Sequence, residues 1–150
     1  MMVPTDRMAQ MAKYIQLQID EAKAELGIKA VYYRDQMKIP TTPTVCVEPG
    51  TKRRDLQGVP RATLVTMEII LLVYLFKIGS TLQQAGEDVD TLAEDLEVFL
   101  HKDPQMGGQA IHSYMTSVEY GYAQRDSSSF RTVRMTFETT SKVQLPLGGV

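Results

Sequence analysis

The sequence predicts an α+β fold: a mostly antiparallel sheet of about five strands, with two helices packed on it and a long projecting hairpin. Three observations carry this. Two stretches, one near each end of the first hundred residues, repeat apolar residues at helical spacing. A long segment from Ala62 alternates apolar and polar residues, then turns apolar on both sides. The last third holds two alternating segments around the polar turn QRDSSS.

The first helix is read from Met8, Met11, Ile15, Ile19, Ala22 and Leu26, whose spacings of 3, 4, 4, 3 and 4 trace one stripe of a helical surface. Thr5 or Asp6 suits its N-cap, and Gly27 stands where a helix ends. A first strand is expected within Ile28 to Gln36 and a second at Thr44 to Glu48, with Pro40 and Pro43 punctuating the link. Pro49 and Gly50 then open a polar segment, TKRRDLQGVPR, that reads as a long loop to Arg61. The third strand runs from Ala62 to about Ile78. From Ile69 to Phe76 both of its faces are apolar, so both need a cover.

A second helix is expected at about Asp88 to His101, with Val89, Leu92, Ala93, Leu96, Phe99 and Leu100 on one side; acidic residues open it and His101 and Lys102 close it, as the helix dipole favours. The loop DPQMGG ends it. The hairpin pairs Gln109 to Ala123 with Ser129 to Val143, and Tyr114, Val118, Tyr120 and Tyr122 are expected to share one face. The whole chain, 1–150, reads as a single domain, with 1–6 and 144–150 as mobile or partner-bound ends.

Composition narrows the function. Hydrophobic residues at 43% and charged residues at 23% describe a folded globular chain rather than a disordered one. Sixteen Lys and Arg against eighteen Asp and Glu leave a net charge of -2, so no global field draws the chain to nucleic acid or an anionic membrane. The intensely apolar run Ile69 to Phe76 is only eight residues long, far short of a spanning helix. No targeting segment is visible at the start, MMVPTDRMAQ.

Catalytic chemistry is poorly supplied. One cysteine, Cys46, sits between Val45 and Val47 as a small buried hydrophobe would. Two histidines, His101 and His112, fall on different elements, so no metal or cofactor site is expected. The acidic residues Glu87, Asp88, Asp90, Glu94, Asp95 and Glu97 read as the solvated face of the second helix. Gly107 and Gly108 follow a helix and precede a strand, the reverse of a phosphate-binding loop. The sharpest positive feature is the basic run Lys52, Arg53 and Arg54, with Arg61 nearby, which offers a loop for phosphates or an acidic partner.

Two features point outward. If both helices pack on one face of the sheet, the other face of the apolar run needs a cover from a neighbouring subunit. Leu72, Tyr74, Phe76, Tyr114, Tyr120 and Tyr122 are the subunit-interface candidates. The strands are also longer than a core of this size requires, and long strands offer edges to other chains. An alternative from another class is a small-ligand-binding regulatory domain, with a closed cavity lined by Tyr74, Tyr114 and Tyr120.

The order of parts resembles a family. An amphipathic N-terminal helix, PTVCV at Pro43 to Val47, the long strand from Ala62 to Phe76, a helix ending at Leu100, the loop DPQMGG and a final hairpin are together similar to the tail terminator, or tail completion, proteins of long-tailed bacteriophages. The resemblance covers residues 8 to 143, and its most local element is Met106, Gly107 and Gly108, where the family often has a leucine and two glycines. It implies a non-enzymatic virion protein, assembled in the host cytoplasm, that forms a hexameric ring on the tail tube. Such a ring stops tube growth and docks the capsid neck. The implied partners are copies of itself, the tail tube protein and a neck or head-completion protein, with DNA passing transiently and no membrane involved. A neighbouring connector or stopper protein of the neck fits the same layout.

Overall fold

The computed structural model describes residues 7–56, 62–79 and 86–144; the expected cap at Thr5 or Asp6, Arg61 and the tail from 145 onward lie outside the described residues. The chain runs α1 (Arg7–Leu26), β1 (Ala30–Tyr33), β2 (Thr44–Leu56), β3 (Ala62–Lys77), α2 (Gly86–His101), β4 (His112–Arg125) and β5 (Ser128–Gln144). The five strands form one sheet in the order β1-β2-β3-β5-β4. Its neighbours are antiparallel except β1 and β2, which are parallel. The α+β class and the mostly antiparallel sheet are those expected.

Helix α1 ends as its sequence dictates. Gly27 takes φ 75°, a left-handed conformation that costs glycine nothing, and the Ile28 N–H then donates to the Lys23 carbonyl at 2.8 Å. That turn drops Ile28 into the core. The buried stripe of α1 is Met11, Ala12, Ile15 and Ile19; that of α2 is Leu92, Ala93, Leu96 and Leu100. Both stripes pack into a single cluster with Val65, Met67, Ile69, Leu71 and Val73 of β3, Val45 and Val47 of β2, and Val133, Met135 and Phe137 of β5. The two helices therefore lie on the same side of the sheet, and among the described residues no helix covers its other side.

The chain itself supplies part of the missing cover, which corrects the expectation that a neighbouring subunit must. Parallel strands cannot be joined by a tight turn. The link from β1 to β2, residues 34–43, therefore crosses the sheet's second side, where Ile39 plugs into a cluster with Cys46, Tyr74 and Phe130. Tyr74 is fully buried as a result.

Two further corrections concern strand lengths and registers. β2 does not stop at Glu48 but continues to Leu56, through an irregularity between Pro49 and Lys52. Lys52, Arg53 and Arg54 thus stand on a paired strand opposite Met67, Thr66 and Val65, not on a loop. Proline and glycine inside the strand, followed by five polar residues, hid it: the bulge absorbs the first of them and the ladder resumes beyond. In β4 a second irregularity lies between Met115 and Ser117. One extra residue reverses which side the following residues face, so Tyr114 is opposite in orientation to Val118, Tyr120 and Tyr122.

The hairpin turn is tighter than QRDSSS suggests. Arg125 pairs with Ser128, and only Asp126 and Ser127 lie outside the ladder, at φ 49° and 65°. Two successive positive φ values make the turn whose twist matches paired strands. β5 is also paired with β3 from Phe130 to Gln144, so the hairpin does not project alone. Instead, beyond the last partners of β1 and β4, the sheet narrows to the ends of β2, β3 and β5.

Candidate assembly surface

The basic run stands where the sheet begins to narrow: Lys52 and Arg53 are level with Ser113 and His112 at the start of β4, and Arg54 is one row beyond. There Arg53 reaches across β3 to Glu138 of β5 at 3.6 Å. Glu138 is mostly buried and stands directly opposite Glu68, a like-charge pair that the nearby guanidinium offsets. Glu68 in turn accepts a hydrogen bond from the Thr51 hydroxyl at 2.5 Å. Arg53 is thus partly engaged inside the chain, although its side chain is largely exposed.

β4 forms one edge of the sheet over its whole length and carries most of the exposed aromatic surface. Tyr122 is 71% exposed, Tyr114 47% and Tyr120 42%. Tyr120 and Tyr122 lie on the helix side of the sheet, past the helices, and the Arg131 guanidinium sits over both rings at 5.4 and 4.8 Å. Arg131 also donates to the Gly121 carbonyl at 3.4 Å. Arg131 was not among the residues singled out from sequence. The signal for it is the hairpin register, which sets Tyr122 opposite Arg131 once a two-residue turn is placed. Tyr114, on the other side, packs near His112 with ring centroids 6.1 Å apart.

The remaining interface candidates separate. Leu72 is half-buried on the sheet's second side, between Cys46 and Arg134. Phe76 packs against the helix-side core, because an irregularity between Tyr74 and Phe76 shifts its register. Tyr74 presents no surface: besides being buried, it donates from its hydroxyl to Asp35 at 2.6 Å. Asp35 also binds Arg125 at 2.5 Å, which ties the 34–43 link to the hairpin end. The expected cavity lined by Tyr74, Tyr114 and Tyr120 does not form, since these residues sit respectively in the second-side cluster, on the exposed second side and on the exposed helix side. A pocket of about 110 Å³ lies elsewhere, between Tyr14 and Gln18 of α1 and Phe99, Leu100 and Met106.

The chemically reactive groups are occupied structurally. Burial pushes the Cys46 thiol up to about 12, with the Asp35 charge adding to it, so it stays protonated at neutral pH. His101 accepts a hydrogen bond from the backbone of β4. Among the described residues no group of three or more His, Cys, Asp or Glu side chains is placed to hold a metal ion. No described helix is long and apolar enough to cross a membrane.

No family model matches the sequence, and no curated protein is significantly similar to it. Among solved structures, the fold matches a chain of "Virion of native gene transfer agent (GTA) particle" with a TM-score of 0.55 and 15% sequence identity. The match covers 89% of this chain and 93% of that one, so the likeness is of one whole fold to another rather than of a shared fragment. Over most of its length this chain therefore has the same fold as that chain of the gene transfer agent particle.

Proposed function

We propose that this chain is a structural virion protein, and specifically a tail terminator. It forms a ring, hexameric by the family resemblance, at the top of a phage tail tube, ends tube polymerisation and presents the docking surface for the capsid neck. The observation that carries the virion reading is the two-way coverage of the match to a virion chain. The finer role rests on the order of parts and on surface chemistry. A long edge strand with exposed tyrosines offers neighbours a ladder and aromatic contacts. A net charge of -2 suits a conduit that DNA crosses, because strong phosphate binding would oppose sliding. Its partners are copies of itself, the tail tube protein and a neck or head-completion protein.

The test is mass measurement and imaging of the purified chain alone and mixed with tail tubes. A ring capping tube ends is the expected result. A chain that ignores tubes yet binds the neck protein would assign it to a connector or stopper instead, and one that stays monomeric with both would overturn the virion reading. Neutralising Lys52 and Arg54, with Arg53 kept because it offsets Glu138, should spare folding and lower particle yield. Unchanged yield and infectivity would remove the basic run from the assembly surface.

A further inference from the structure

Residues 34–43 are pinned at their two ends by backbone bonds, from the Arg34 N–H to the Val47 carbonyl at 2.7 Å and from the Lys29 N–H to the Pro43 carbonyl at 2.8 Å. The Asp35 N–H makes a longer bond to Glu48 at 3.4 Å; between these ends few side chains hold the segment down. Arg34, Met37, Lys38, Pro40 and Thr41 are exposed, and Ile39 is the segment's buried apolar side chain. Its polar anchor is Asp35, whose carboxylate receives both the Tyr74 hydroxyl and the Arg125 guanidinium. The guanidinium also lies 5.7 Å from the Tyr74 ring centroid, closing a three-residue clasp. A second tie, Lys38 to Asp126 at 4.0 Å, joins exposed groups and adds little. Beneath this lightly held segment lie Cys46 and Tyr74, fully buried, and Phe130, 3% exposed.

Segments with few buried apolar contacts and exposed backbone open with less free energy than the whole fold. The helix-side core contains no residue of 34–43. We propose that residues 34–43 form a strap that opens and closes as a unit over the sheet's second side, latched to the hairpin end through Asp35 and Arg125, uncovering Cys46, Tyr74 and Phe130 while the helix side stays folded. The inference does not depend on the virion reading, since it concerns the isolated chain.

Cys46 is the chain's single cysteine, so it reports on the strap alone. A thiol that burial keeps protonated reacts only when uncovered. The experiment follows the rate of Cys46 modification by 5,5′-dithiobis(2-nitrobenzoate) in native buffer, beside global stability from urea unfolding. Asp35→Asn and, independently, Arg125→Met should raise the modification rate by roughly tenfold to a hundredfold, the scale of a lost charged hydrogen bond. Leu96→Ala, in the helix-side core, should lower global stability and leave the rate unchanged. If Leu96→Ala speeds modification in proportion to the stability it loses, or if both clasp variants leave the rate unaltered, the thiol is reached through global unfolding and the strap is overturned.

Discussion

The imidazole of His101, the last residue of α2, accepts a hydrogen bond from the backbone N–H of Met115 at 2.9 Å, at the irregularity in β4. The accepting nitrogen is Nε2, so the neutral ring carries its proton on Nδ1. The same ring tilts against Phe137 with centroids 6.1 Å apart. The helix end thus fixes the point at which β4 changes face. Replacing His101 with Phe keeps the ring contact and removes the acceptor. It should cost about 1 kcal/mol and speed amide exchange at Met115. An unchanged exchange rate would show that the bulge holds itself.

Gly107 is under two independent constraints. Its φ is 64°, and a Cβ there would lie 2.8 Å from the Tyr14 hydroxyl. That hydroxyl donates to Asp103, which also accepts from the Gly107 N–H at 2.9 Å. Gly107→Ala should destabilise by about 1–2 kcal/mol in urea unfolding, from backbone strain and the clash together. A Tyr14→Phe background removes the shortest of these contacts and leaves the ring carbons at 3.2 and 3.3 Å, so the double variant should be less destabilised than the sum of the singles.

Leu71 and Leu72 are sequence neighbours with opposite surroundings. Leu71 is fully buried under the helices, whereas Leu72 is half-buried on the second side. Leu71→Ala should cost about 2–5 kcal/mol, as for a closed core site. Leu72→Ala should cost less than half as much by the same measurement. Equal losses would mean that the two sides of β3 are packed alike.

Alkaline stability reports on Cys46. Its ordinary thiol value is 9.0 and burial raises it to about 12, so between these limits the unfolded chain has lost a proton that the native chain keeps. Native stability is therefore independent of this group below pH 9 and falls as pH rises toward 12, by up to ~1.4 kcal/mol per unit. Cys46→Ala should flatten the pH dependence of urea unfolding by that amount and leave the tyrosine contribution in place.

Periodic residues made most of the fold legible. The stripe Met11, Ile15 and Ile19 and the alternation Val133, Met135 and Phe137 bury the same atoms that their spacing marks. What escaped was set by single residues acting through register. Nothing in TKRR announces a strand, because its pairing is decided by β3 across the ladder. Nothing in HSYMTSVEYGY announces a bulge, because the extra residue is stabilised by His101 from another element. The alternation around Tyr74 is that of a two-sided strand and marks it as an interface residue, whereas its cover comes from a link whose lone Ile39 carries no periodicity. The exposed pair Tyr120 and Tyr122 was legible, and the guanidinium between them was not.

The reversal of facing within β4 has a geometric consequence for any assembly. A strand of one facing touches neighbours on one side of its sheet, and a neighbour on the other side meets only its alternate residues. Here the root of the strand turns Tyr114 one way and its far half turns Tyr120 and Tyr122 the other. A single edge strand can accordingly be gripped from above by one molecule and from below by a second, in the manner of a slat held between two rails.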